Sequence, residues 1–69
     1  MLHLTAALDP ASQVPLYEQL YRSIAREISA GALPAGTRMP GRRSLAEALS
    51  VSVNTVDGAY QMLAAEGYL

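Results

Sequence analysis

The sequence predicts an all-α or mostly α domain built from three helices, on three observations. Apolar residues recur at helical spacing in three separate stretches. Each stretch closes on a glycine or a short polar connection. Strand-like pattern is confined to two short pieces, Leu2 to Thr5 and Thr37 to Met39. Hydrophobic residues make up 51% of the 69, too many for a disordered tail, and a chain of this size holds one small core.

Residues 1–13 read as a lead-in, in which Asp9-Pro10 and Ser12 mark a turn, and residues 14–69 as the domain. The first helix is expected from Pro15 to Ala30, with proline at the first helical position, where its missing N–H leaves nothing unpaired. Leu16, Leu20, Ile24 and Ile28 recur every four residues and, with Tyr17 and Tyr21 beside them, make one apolar stripe. Glu18, Gln19, Arg22 and Arg26 fall on the other side, Glu18 four residues before Arg22. Gly31 is the stop. Leu33 to Gly36 reads as a turn and Thr37-Arg38-Met39 as a short strand ended by Pro40-Gly41. The second helix is expected from Arg42 to Leu49, with Leu45, Ala46 and Leu49 inward. After the tight Ser50-Val51 connection, Ser52 is an N-cap for a third helix from Val53 to Glu66. Val56, Ala59, Tyr60 and Leu63 stand at i, i+3, i+4 and i+7, one helix face, and Gly67 ends the pattern before Tyr68-Leu69. Tyr17, Tyr21 and Tyr60 are expected to be core or half-buried, and Met39 and Met62 to fill core space.

The composition removes whole classes of function. Without cysteine there is no disulfide scaffold and no zinc finger, and the chain suits a reducing cytoplasm. No apolar run approaches the roughly 18 residues of a membrane span, and Met1 to Thr5 lack the basic start of a signal peptide. No nucleophile–base pair, metal-ligand cluster or Gly-rich phosphate loop is present, so this segment is expected to be no enzyme and to hold no metal or cofactor. The net charge is −1 and lysine is absent, yet Arg38, Arg42 and Arg43 fall in one short stretch with no acid between them. A local basic patch can therefore stand on a neutral domain.

The informative unit runs from Arg43 to Leu63: a helix, a turn of about three residues, and a capped second helix. This is the helix-turn-helix pattern. Val51 is placed to plug the angle between the helices, and small Ala46 allows them to approach. In such a unit the N-terminal end of the second helix enters the major groove of double-stranded DNA, where free N–H groups and the helix dipole favour phosphate. That end is Ser52, Val53, Asn54 and Thr55. Asn54 has the amide that reads an adenine edge in a bidentate way, and Ser52 and Thr55 have hydroxyls for phosphate or base edges. Arg42 and Arg43 at the start of the preceding helix are candidates for backbone or groove, and Arg38 is the outlying candidate. The alternative is a helix-turn-helix that serves as a protein-interaction module, which Val53, Asp57 and the neutral charge favour.

Several segments carry a family resemblance. Gly31 to Pro40, Arg43-Ser44-Leu45-Ala46, Leu49 to Val56 and Leu63 to Leu69, in that order and spacing, resemble the GntR family of transcription regulators over Val14 to Leu69. Pro15-Leu16-Tyr17, Asn54-Thr55-Val56, Ala59-Tyr60 and Glu66-Gly67-Tyr68-Leu69 are most similar to its MocR (PdxR-like) subfamily. The resemblance implies a winged helix-turn-helix core, a wing hairpin that would follow Tyr68-Leu69, and a homodimer in the full-length protein. It also implies a larger C-terminal domain that binds pyridoxal phosphate. Three positions depart from the family pattern: Gly41 stands for serine, Val53 for arginine, and Asp57 for the arginine of many members or the apolar residue of the MocR group.

Overall fold

The computed structural model describes residues 8–31 and 38–69. Three helices form: α1 (Leu16–Ser29), α2 (Arg42–Leu49) and α3 (Val53–Ala65). The second span agrees with the sequence pattern. The first and third are shorter at their ends, because the residues there act as caps. Pro15 is the N-cap of α1, with extended ψ of 147°, and not its first helical residue. Its carbonyl accepts from the backbone N–H groups of Glu18 and Gln19. Ala30 and Glu66 are the C-caps of α1 and α3. Among the described residues there is no strand: Arg38 and Met39 are irregular. The expected piece at Leu2 to Thr5, the turn at Leu33 to Gly36, and Thr37 lie outside the described residues.

Each helix is followed by a left-handed residue. Gly31 (φ 80°) follows α1 and Gly67 (φ 84°) follows α3, where glycine has no Cβ to clash. At the end of α3, the N–H of Tyr68 donates to Leu63 O at 2.9 Å and that of Gly67 to Ala64 O at 3.2 Å, the Schellman arrangement. The end of α2 repeats it with serine: Ser50 has φ 57° and ψ 44°, and the N–H groups of Val51 and Ser50 donate to Ala46 O and Glu47 O. That reversal turns the chain from α2 into α3 within Ser50, Val51 and Ser52.

The core is one cluster fed by all three helices: Leu20, Ile24 and Ala25 from α1, Leu45 and Ala46 from α2, and Val56, Ala59 and Leu63 from α3. Both α1 and α2 pack on α3. Leu49, Val51, Met39 and Ile28 close the edges half-buried, so Val51 fills the corner of the turn. Met62 is only half-buried. Tyr21 and Tyr60 pack partly into the core, and the ring of Tyr21 meets Tyr68 edge-on at 6.3 Å.

Tyr17 departs from its expected place. It is 41% exposed, because it lies in the first turn of α1, beyond the end of the closed core. Its inner carbons cover Gly58 of α3, where an added Cβ would come within 3.2 Å of Tyr17 Cβ. The lead-in is tied to α1 by Gln19, which the helical pattern places on the side away from the apolar stripe. Its Oε1 accepts from Asp9 N at 2.8 Å, and its Nε2 donates to Asp9 O and Val14 O. Asp9 Oδ1 in turn accepts from Ala11 N, which fixes the Asp9-Pro10 turn.

Candidate nucleic-acid interface

The tip of α3 is built by Ser52. Its hydroxyl accepts from Thr55 N at 3.1 Å, which satisfies one of the free donors of the first turn. It is also hydrogen-bonded to Thr55 Oγ1 at 2.9 Å. Ser52 and Thr55, two candidate contact residues, are therefore partners of one another. With the cap turned back on the helix, Val53 and Asn54 stand at the exposed front of the tip, Val53 at 41% exposure. Val53 thus lies off the core stripe of Val56, Ala59 and Leu63. It shares a shallow surface depression with Arg43, Ala46, Glu47, Ser50 and Val51, so the fold brings Arg43 and the tip of α3 to one surface.

The candidate arginines divide. Arg43 is exposed and has no ion-pair partner among the described residues. Arg42, one residue earlier, is engaged: its Nε lies 2.6 Å from Asp57 Oδ1 on α3. The other Asp57 oxygen accepts from Gln61 Nε2 at 2.7 Å. Arg38 is exposed and stands apart from these contacts. Gly41 gives α2 no side-chain cap. Instead the start of α2 is tied to α3 through side chains: Tyr60 OH donates to Pro40 O at 2.8 Å, one helical turn from the Arg42–Asp57 pair. Burial pushes the Tyr60 hydroxyl above its ordinary pKa of 10.0, and the Arg42 guanidinium opposes part of that rise. The phenol therefore stays a donor through the neutral range.

Sequence reasoning missed the Arg42–Asp57 pair, the Tyr60–Pro40 bond and the close approach at Gly58. A glycine in the middle of a helical pattern costs about 1 kcal/mol against alanine, and that cost was the available sign that something packs against position 58. Metal-binding groups of three or more His, Cys, Asp or Glu are absent among the described residues. The chain has no lysine, the residue with which pyridoxal phosphate forms its Schiff base. No helix among the described residues is long and apolar enough to cross a membrane.

Two packed helices joined by a short turn, with the second helix capped and its tip exposed beside an arginine that has no ion-pair partner among the described residues, are the arrangement of helix-turn-helix DNA-binding domains. The chain belongs to the gntR family of bacterial regulatory proteins, whose family model matches residues 16–69. It is 52% identical over 62 residues to the probable rhizopine catabolism regulatory protein MocR of Rhizobium meliloti, covering 90% of this chain and 13% of that one. It is 46% identical to the HTH-type transcriptional regulator YhdI of Bacillus subtilis, covering 99% of this chain and 14% of the relative. It is 41% identical to the HTH-type pyridoxine biosynthesis transcriptional regulator PdxR of Corynebacterium glutamicum, covering 96% and 15%. The chain spans about one seventh of the length of these relatives. It is a gntR-family DNA-binding domain of the kind that transcription regulators carry.

Proposed function

We propose that α3 is the recognition helix and enters the major groove by its first turn. Asn54 reads an adenine edge there, Val53 touches a thymine methyl, and Arg43 binds the phosphate backbone. The observation that carries this reading is the exposed Val53-Asn54 tip, capped from behind by Ser52 and sharing one surface with unpaired Arg43. Arg38 is a peripheral phosphate contact. Ser52 and Thr55 act first as the cap, and whatever they offer DNA comes from the lone pairs and N–H groups that the cap leaves free.

The full-length protein binds as a homodimer on two half-sites, since paired half-sites follow from the symmetry of such regulators. It acts in the cytoplasm, where the chromosome is. A pyridoxal-phosphate domain belongs to the remainder of the full-length regulator; the length of the relatives and the pyridoxine role in the name of one of them support this. The direct experiment is a salt-dependent gel shift with base-preference profiling. Arg43→Ala should weaken binding to all sequences and lower the salt slope by about 0.9. Asn54→Ala should instead change which base is preferred at one step of each half-site. If neither substitution has an effect and binding is insensitive to salt, the protein-interaction reading replaces this one.

A further inference from the structure

We infer that Arg42 is the fixed counter-ion of Asp57 and not a phosphate ligand, so that the two enter the DNA interface as one neutral unit. The inference rests on the DNA-binding reading above. Asp57 lies three residues after Asn54, so the two share a face of α3. A bare carboxylate on that face would meet the phosphates with like charge. Both of its oxygens are engaged: Oδ1 by Arg42 Nε at 2.6 Å and Oδ2 by Gln61 Nε2 at 2.7 Å. The carboxylate is thus held from two sides and its charge is matched in place.

The position of Arg42 points the same way. It is the first residue of α2, the end at which the helix dipole disfavours a cation, and the first turn holds no acidic residue of its own. Asp57 supplies that anion from α3. The Tyr60–Pro40 hydrogen bond anchors the backbone two residues earlier to the same side of α3, which keeps Arg42 opposite Asp57. Arg43 has none of these ties. Two adjacent arginines of one composition therefore have different tasks: Arg42 positions and neutralises, and Arg43 is the cation left for phosphate.

The test is the salt dependence of binding for the intact protein and four variants: Asp57→Asn, Arg42→Gln, the double substitution, and Arg43→Ala. Asp57→Asn releases Arg42, so the slope of log K against log salt should steepen by about 0.9, an extra change of about 3.5-fold over a fourfold rise in salt. Arg42→Gln alone strands the carboxylate and weakens binding to every sequence. The double variant should return to the parent slope. A double variant whose slope lies about 0.9 below the parent, with Asp57→Asn unchanged from it, would make Arg42 a phosphate ligand and overturn the inference. If Arg43→Ala changes nothing and no variant shows salt-dependent binding, it is the DNA reading itself that has failed. A second measurement needs no variant: the Arg42 Nε–H resonance should be protected in the free protein and shift little when a DNA duplex is added. A resonance that becomes protected only with DNA would overturn the inference.

Discussion

Replacing Ser52 separates the two tasks of the α3 tip, folding and DNA contact. In Ser52→Ala the Oγ acceptor for Thr55 N is lost, and with it the 2.9 Å bond to Thr55 Oγ1. Thr55 N keeps a 3.1 Å bond to the carbonyl of Ser52, so the donor is not stranded. The cost should therefore sit near the middle of the range for such caps, about 1 kcal/mol. For a domain of this size that lowers the melting temperature by about 4–8 °C. Ser52→Asp keeps an acceptor at the same place and adds negative charge at the positive end of the helix dipole, worth about 0.3–1 kcal/mol. It should melt at or above the parent temperature. Its DNA affinity should nevertheless fall, because the new charge stands where phosphate approaches. Thermal denaturation followed by circular dichroism, paired with a binding titration, reads both. An alanine variant that melts with the parent would refute the capping argument. An aspartate variant that binds DNA as well as the parent would refute the orientation of the tip.

Three further outcomes follow from the packing. Tyr60→Phe removes the bond to Pro40 O and should cost about 1 kcal/mol. Because the folded-state pKa of Tyr60 is raised above 10.0, its contribution is complete below that value and is lost as pH climbs through the raised one. Denaturant melts at neutral pH and again above the ordinary tyrosine pKa of 10.0 should show the parent losing more stability than the phenylalanine variant. Gly58→Val should destabilise by about 1–3 kcal/mol, since even a Cβ there would lie 3.2 Å from Tyr17 Cβ; an unchanged melting temperature would mean that α1 and α3 are not so close. Ser50→Gly should stabilise by about 0.5–1 kcal/mol, as glycine relieves the left-handed strain at φ 57° and gives back part of it through a freer unfolded chain. Destabilisation in a melt would contradict that backbone geometry.

What the sequence made legible was local. The four-residue recurrence from Leu16 to Ile28 and the Val56, Ala59, Leu63 stripe place the core because one helix sets their spacing. The Ser52 cap was legible for the same reason, as cap and donor lie three residues apart. Gly31 and Gly67 announce their helix ends by residue type, whereas Ser50 takes the same conformation without announcing it. The unread features join distant residues. Arg42 meets Asp57, and Pro40 meets Tyr60, only because α2 crosses α3 at one particular angle, which no local pattern states. Asp57 seen alone favours the protein-interaction reading, and its Arg42 partner is what the local pattern does not state. Gln19 reads as surface by its place in the α1 pattern, yet it binds the lead-in because the chain folds back at Asp9.

The central claim is that the first turn of α3 meets base edges in the major groove, and Val53→Arg tests it most directly. Val53 is 41% exposed and off the core stripe, so the substitution should shift stability by no more than about 0.5 kcal/mol. An arginine there can make the bidentate guanine contact, worth roughly 1–3 kcal/mol of discrimination. Selection from a randomised operator library with the intact protein should show tighter binding overall and a new guanine preference at one position of each half-site. A collapse of the melting temperature would make Val53 a core residue, and an unchanged base preference would mean that α3 does not enter the groove.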